Sequence, residues 1–407
     1  MRTLPAFFIA SSLLALASAP ARADEPAAKD GAAKPAAAPS TEGKPAEAAP
    51  GEPPPPAGEL PPLKLDIGQQ KLEVDLHGYI QLWFYQPLSS LDPPRLADAP
   101  LTPEDRLFEV YQASVGITGK YGAFSVYINP RFRDTKIREF FTSNVWLQQA
   151  YGSYEIGAIK LSAGKIENQL SELDDDSFYL NLPYFDGIKY ESDYGVSAEG
   201  FHELSPTGTL HWAAQYFVTD GKTNGSLRDR DTVWVDGGHR RHIGTIRVDP
   251  GIRFTPTTSM RFGIAAQAFA VDLGSGRDDP VLRLDGDLSF VTGPARIFGE
   301  AVFQLGQTVT RYPLEAKGSL PSRASARNLY LLGGAGMRIW RFYPRYSVSL
   351  AHYADVGISE MTHVPGVSFL AHENMTLMLE YAYWPRYNPT RSLLFDSSLN
   401  FVIWGKF

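Results

Sequence analysis

Leu399-Asn400-Phe401-Val402-Ile403-Trp404-Gly405-Lys406-Phe407 are the last nine residues of this 407-residue chain, and their pattern decides the fold. Counting back by twos from Phe407 gives Gly405, Ile403, Phe401 and Leu399, a mostly apolar face that ends on an aromatic. A period of two is the mark of a strand, whose side chains alternate between two faces. An apolar strand left as the open edge of a sheet invites aggregation. Pairing with the first strand of the sheet removes that edge, so Leu399, Phe401, Ile403 and Phe407 are expected to close a barrel.

The other end of the chain reads as an export signal. Arg2 gives a positive start, and Phe7 to Ala17 form an apolar run broken only by Ser11 and Ser12. Ala21-Arg22-Ala23 fits a small-residue cleavage site, so residues 1–23 are expected to be a signal peptide. The run is too short to cross a bilayer as a helix, and no later stretch reaches the roughly 18 apolar residues a helix needs. A mean hydropathy of −0.20 would be out of place in a helical membrane protein. It suits a barrel, where only alternate residues face lipid.

Composition narrows the chemistry. There is no cysteine, which excludes a disulfide framework, a thiolate nucleophile and every cysteine-ligated metal or haem. The 20 Tyr, 23 Phe and 7 Trp would furnish aromatic girdles at two membrane interfaces, though they would serve a soluble β-protein as well. The net charge of −7 comes without a basic run or stripe, so no nucleic-acid partner is expected.

Residues 24–62 are mostly Ala, Pro, Gly, Glu and Lys, with Pro53-Pro54-Pro55-Pro56 suited to an extended polyproline helix. Such a segment cannot bury a core and is expected to be a disordered periplasmic tether. Residues 63–407 are assigned to the barrel. From about residue 72 the chain alternates in short segments, and sixteen candidate strands can be counted between residues 73 and 407. An even count keeps both barrel termini on one side of the membrane. Short connections are expected at Lys120-Tyr121, Gly157, Ser205-Pro206-Thr207, Pro256-Thr257, Gly293, Phe342-Tyr343 and Glu373-Asn374. Long ones are expected at 88–105, 134–142, 168–187, 220–240, 273–280, 310–326, 355–362 and 387–395. Long and short alternate throughout. A soluble sandwich has no reason to sort its loops this way, whereas a membrane barrel has short turns on one side and long loops on the other.

The strands also fix an inside and an outside. In Met260-Arg261-Phe262-Gly263-Ile264-Ala265-Ala266-Gln267-Ala268 the even positions are apolar, and Arg261 and Gln267 fall on the other face. In Leu282-Arg283-Leu284-Asp285-Gly286-Asp287-Leu288 the leucines share one face and the charges the other. A basic residue facing lipid would cost about 2–4 kcal/mol at the midplane, so the charges must face inward. The fold class is therefore all-β: a transmembrane antiparallel β-barrel of sixteen strands, wide enough to hold water.

The C-terminal aromatic strand resembles the terminal signature of bacterial outer-membrane barrels, in which the last aromatic belongs to the assembly signal. Several strings are similar to the phosphate-selective porin O/P family. They are HGYIQLWFYQ at 77–86, FEVYQASVGITGKYGAFSVYINPRF at 108–132, LQQAYGSYEIGAIKLSAGKIENQL at 147–170 and DDDSFYLNLPYFDGIKYESDYGVSAEG at 174–200. They cover the first third to half of the barrel. The resemblance implies a sixteen-stranded, trimeric porin of the bacterial outer membrane with inward basic residues that guide anions. Its partners would be outer-membrane lipid and lipopolysaccharide, the barrel assembly machinery, a homotrimer of the chain, and small ions or solutes such as phosphate.

Within that frame the third long loop, 168–187, is the candidate constriction. It carries Glu172, Asp174, Asp175, Asp176, Phe178, Tyr179, Tyr184, Phe185 and Asp186, and acids there would face basic residues across the lumen. The alternative is that they solvate an external loop or bind divalent cations between lipopolysaccharides. Strand parity places Arg131, Arg133, Lys160, Arg247, Arg253, Arg261, Arg283, Arg338 and Arg345 inward. Arginine keeps its charge and offers a planar fork to oxyanions. Asp285, Asp287, Glu300 and Glu380 point inward by the same parity, so pairing would neutralise part of the basic lining. No enzyme is expected. The nearest approach to a G-x-S-x-G nucleophile turn is Gly195-Val196-Ser197-Ala198-Glu199, where a glutamate replaces the second glycine. The 8 His show no H-E-x-x-H spacing, so neither cofactor nor metal is expected. The function expected is passive diffusion of small hydrophilic solutes, with a preference for anions or phosphate. The alternative is a receptor or adhesin barrel that binds a partner through its long loops, for instance 220–240 with its mixed charges and Trp234.

Overall fold

The computed structural model describes residues 63–67, 70–90, 95–96, 99–100, 107–133, 145–171, 177, 192–219, 239–272, 278–309, 324–355, 358–388 and 391–407. The expected signal peptide and tether lie outside these residues. Strand β1 is Leu63–Ile67 and β2 is Gln70–Ser90, while β3 (Arg95–Leu96) and β4 (Ala99–Pro100) form a two-residue ladder of their own. The strands that follow are β5 (Leu107–Tyr121), β6 (Phe124–Phe132), β7 (Val145–Ile156), β8 (Ile159–Glu167), β9 (Ser192–Ser205), β10 (Gly208–Thr219) and β11 (His239–Thr255). Next come β12 (Thr258–Asp272), β13 (Asp278–Thr292), β14 (Ala295–Val309), β15 (Ala324–Met337), β16 (Phe342–Tyr353), β17 (Ile358–His372), β18 (Met375–Asn388) and β19 (Arg391–Lys406).

Strand β2 and strands β5 to β19 make a ring of sixteen. Each pairs antiparallel with its neighbour in sequence, and β19 returns to pair with β2. The sequence-predicted strands correspond one to one with this ring. The closure is made where the last residues pointed. Val402 pairs with Trp83, Phe401 with Phe84 and Lys406 with Tyr79. Gly78 and Phe407 then exchange two backbone hydrogen bonds, at 2.9 and 3.0 Å. A Cβ at Gly78 would collide with the Ser114 carbonyl oxygen and with the Phe407 ring. The glycine is what lets the terminal aromatic ring pack over the seam.

Strand β1 had no counterpart in the sequence reading. Beyond Phe407 the closing strand has ended, yet β2 continues, leaving one of its edges without a partner. Strand β1 takes that edge, pairing Leu63 with Val74 through to Ile67 with Gln70. The alternation of loop lengths holds, with adjustments. Most short turns are two residues, among them Gly122-Ala123, Gly157-Ala158, Pro206-Thr207, Pro256-Thr257 and Glu373-Asn374. The first falls two residues later than expected, because Lys120 and Tyr121 still pair with Ser125 and Phe124. The turn expected at Phe342-Tyr343 is instead Arg338–Arg341, stapled by two backbone bonds between Ile339 and Phe342. The last two long loops shrink to 354–357 and 389–390. Their flanking residues still pair, as in Tyr353 with Ile358 and Asn388 with Arg391, and neither ISEMT at 358–362 nor RSLLF at 391–395 has the period of two that a sequence reading detects.

Polarity is inverted relative to a soluble protein. The exposed outer face carries Ile246, Val248, Phe262, Ile264, Leu282, Leu284 and Leu288, while the interior holds Arg247, Gln267, Arg283, Asp285, Asp287, Glu300 and Asn400. Apolar atoms facing outward and hydrogen-bonding groups facing inward are what a closed sheet adopts in lipid, where every backbone group must be satisfied within the ring.

Candidate functional site

The candidate site is the lumen, and one side of it is charged. Arg247 projects inward from β11 and is fully buried. Its Nε donates to Asp249 Oδ2 at 2.8 Å, its Nη1 to Asp285 Oδ2 at 3.1 Å, and its Nη2 to Asp249 Oδ1 and Asp287 Oδ2, both at 2.5 Å. Three carboxylates thus surround one guanidinium, and His211 Nδ1 lies 3.5 Å from Asp249. Room for this cluster comes from β12. A Cβ at Gly263 would collide with the Arg247 guanidinium and with Asp287 and would crowd Asp249. Charge-assisted bonds of this sort are about twice as strong as neutral ones.

Arg247 also reaches the segment that follows β8. Its Nη1 donates to the Leu170 carbonyl oxygen at 2.8 Å, and Leu170 is fully buried. Next to it, Thr245 donates to Asn168 Oδ1 at 3.2 Å, and the Gln169 amide donates to Gln215 Oε1 at 2.8 Å. Farther along, Ser177 donates to Glu380 Oε1 at 3.1 Å. Glu380 stands on β18, seven strands from β11 in a ring of sixteen. Asn168 to Leu170 and Ser177 therefore touch walls that face one another across the lumen. Glu172, Asp174, Asp175, Asp176, Phe178, Tyr179, Tyr184, Phe185 and Asp186 lie outside the described residues.

The inward basic residues divide into several environments. Arg345 donates to Glu380 and to Ser368. Arg283 is fully buried and donates to Gln304 at 2.8 Å and Gln267 at 3.0 Å, with its guanidinium 4.9 Å from the Phe269 ring centroid. Arg133 sits over Trp146 at 3.7 Å. Arg131 lies over Tyr79 at 5.9 Å and Lys160 over Tyr151 at 5.4 Å. Arg253 and Arg338, near the turn end, are exposed, and Arg261 is half-buried. Glu300 is buried on β14.

Sequence reasoning missed a second buried pair. Arg240 Nη2 stands 3.5 Å from Asp193 Oδ2, both fully buried. Counting by twos from Gly244 sends Arg240 outward. The register shifts between Arg241 and Gly244, where His242 takes a φ of 53°, and the irregularity turns Arg240 inward. The missed Asp249 needed no such signal, since it shares the parity of Arg247. Ser197, from the imperfect nucleophile motif, lies inside β9, donating to Glu199 at 3.0 Å and accepting from Gln215 at 3.5 Å. Among the described residues no three His, Asp or Glu are placed to hold a metal ion.

A closed ring of sixteen strands, apolar outside and hydrogen-bonding inside, is a porin-like transmembrane β-barrel. Solved structures share the fold. The outer-membrane channel DcaP of Acinetobacter baumannii matches with a TM-score of 0.58 at 12% identity, covering 86% of this chain and 100% of that one. OmpF of Salmonella typhi, solved in complex with daunomycin, matches at 0.57 and 11% identity over 85% and 100%. An anion-selective porin from Comamonas acidovorans matches at 0.55 and 10% identity over 83% and 100%. At such identities the likeness carries the fold alone. No protein-family model and no curated protein matches the sequence, so the narrower resemblance to the phosphate-selective porins gains no support from those comparisons.

Proposed function

We propose that this chain is an outer-membrane porin through which small hydrophilic solutes diffuse passively, without turnover or cofactor. The observation that carries the reading is the inverted barrel: buried charges and amides line the inside of a ring whose outer face is apolar. Such a lining offers solutes replacement partners for their hydration shell at low cost. The segment after β8 narrows the passage. Support for this comes from the bonds of Leu170 to Arg247 and of Ser177 to Glu380 on facing walls. The acids from Glu172 to Asp186 would then stand in the constriction.

Selectivity in this reading is a mild preference for anions rather than a phosphate-specific site. Arg247 and Arg345 are committed to carboxylates. The guiding charges are those nearer water: Arg253, Arg261 and Arg338, with Arg131, Arg133 and Lys160 on the wall of β6 to β8. The chain works as a homotrimer among lipopolysaccharides and is inserted by the barrel assembly machinery, with its N-terminal segment in the periplasm. Swelling of liposomes containing the protein tests the reading. Pentoses should enter quickly and raffinose slowly. Liposomes that fail to swell with either solute, while the protein is folded, would argue for a receptor barrel.

A further inference from the structure

The lumen has a second side whose chemistry differs from the Arg247 cluster. Along β2 the inward positions are His77, Tyr79, Gln81, Trp83 and Tyr85, alternating with outward Leu76 and Ile80. At 3.3 Å per residue these five span about 26 Å of wall; Trp83 and Tyr85 at its far end are buried, while His77, Tyr79 and Gln81 are half-buried. Neighbouring strands widen the stripe. Tyr127 on β6 stacks on His77, with ring centroids 5.8 Å apart and planes 4° from parallel. Tyr151 on β7 follows at 5.3 Å from Tyr127. On the other flank Trp404 of β19 meets Tyr79 edge-on at 6.2 Å. His77, Tyr79, Tyr127, Tyr151 and Trp404 are half-buried, so part of each ring meets the lumen.

Hydrogen-bonding side chains are set among the rings. Gln112 donates to Gln81 at 2.7 Å, and Ser114 donates to Asn129 at 2.5 Å. A primary amide has two donors and two lone pairs, so one such bond leaves capacity for a solute. Arg131 and Lys160, beside Tyr79 and Tyr151, add donors.

The geometry points to a track for linear oligosaccharides of pyranose rings. A pyranose has an apolar face of C–H groups whose partial positive charge suits the negative face of an aromatic ring, and a rim of hydroxyls that suits amide and guanidinium forks. A stripe of flat faces with amides between them offers both at successive heights, and weak contacts repeated along a wall permit movement as well as binding. A simple inorganic anion would use the cations and amides but not the aromatic faces.

This inference rests on the channel reading, and one experiment separates the two. The full chain is inserted in planar bilayers and maltohexaose is added, with a polyethylene glycol of similar hydrodynamic size as the volume control. The track predicts resolved interruptions of the ion current by maltohexaose and brief or absent ones by the glycol. In the double variant Tyr127→Leu/Tyr151→Leu, maltohexaose dwell times should fall by about fivefold, the worth of a lost aromatic contact. Tyr127→Phe/Tyr151→Phe should retain most of the dwell. Equal interruption by sugar and glycol, or dwell unchanged in the leucine variant, would overturn the track while leaving the channel intact. An absent ion current from folded protein would overturn both.

Discussion

At the scale of single residues, two positions carry unusual demands. Gly78 accepts no side chain, because a Cβ would meet the Ser114 carbonyl oxygen, which cannot move without breaking the ladder, and the Phe407 ring. Gly78→Val should therefore block closure. The expected outcome is loss of the folded, heat-modifiable form in unboiled SDS gels, whereas normal migration would show that the seam tolerates bulk. Arg247 is the other position. Removing it leaves Asp249, Asp285 and Asp287 together and frees the Leu170 carbonyl. Breaking a buried charge pair by deleting one partner costs about 3–5 kcal/mol. Arg247→Met should lower the denaturation midpoint and raise single-channel conductance as the inward segment loosens; unchanged conductance would show that the segment is held elsewhere. Reversal potential in a salt gradient reads the guiding charges. Arg261→Glu/Arg338→Glu should shift it toward cations, and an unmoved potential would exclude these residues as guides. Arg283, buried against Gln267 and Gln304, is a poor choice for that test.

At the scale of elements, periodicity explains what could be read in advance. Sixteen strands were legible because lipid on one side and water on the other force strict alternation, and the seam was legible from Phe407 inward. Strand β1 was not, since LKLDI is only five residues long and adjoins the Pro-rich segment, even though it and the start of β2 that it pairs with both alternate. Arg240 fell in the expected loop 220–240 and so was not read as inward, and the backbone irregularity that turns it inward leaves no mark in residue types. The Arg247 cluster was half legible: parity gave the inward acids and arginines, but which acid meets which arginine depends on register between strands. The inward segment after β8 could be suspected from its place in the loop order, and its anchors at Thr245, Gln215 and Glu380 emerge only in three dimensions. Strand β1 covers an edge without taking part in the ring. Deleting Leu63–Ile67 should leave a folded barrel whose thermal transition falls by a few degrees, about what losing 1 kcal/mol does. A chain that cannot fold without it would make β1 part of closure.

At the scale of the whole molecule, the lumen combines a charged wall around Arg247 with an aromatic wall along β2, and the segment after β8 touches the first and the wall facing it. Solutes entering such a passage meet a field on one side and flat rings on the other. Charge is largely compensated within the wall, so a small anion preference is expected rather than a strict filter. The account stands or falls on an open lumen. The most direct measurement is single-channel recording of the purified full chain in planar bilayers in symmetric KCl. The account predicts discrete, ohmic conductance steps that appear only with folded protein. Folded, inserted barrels that pass no current would contradict it.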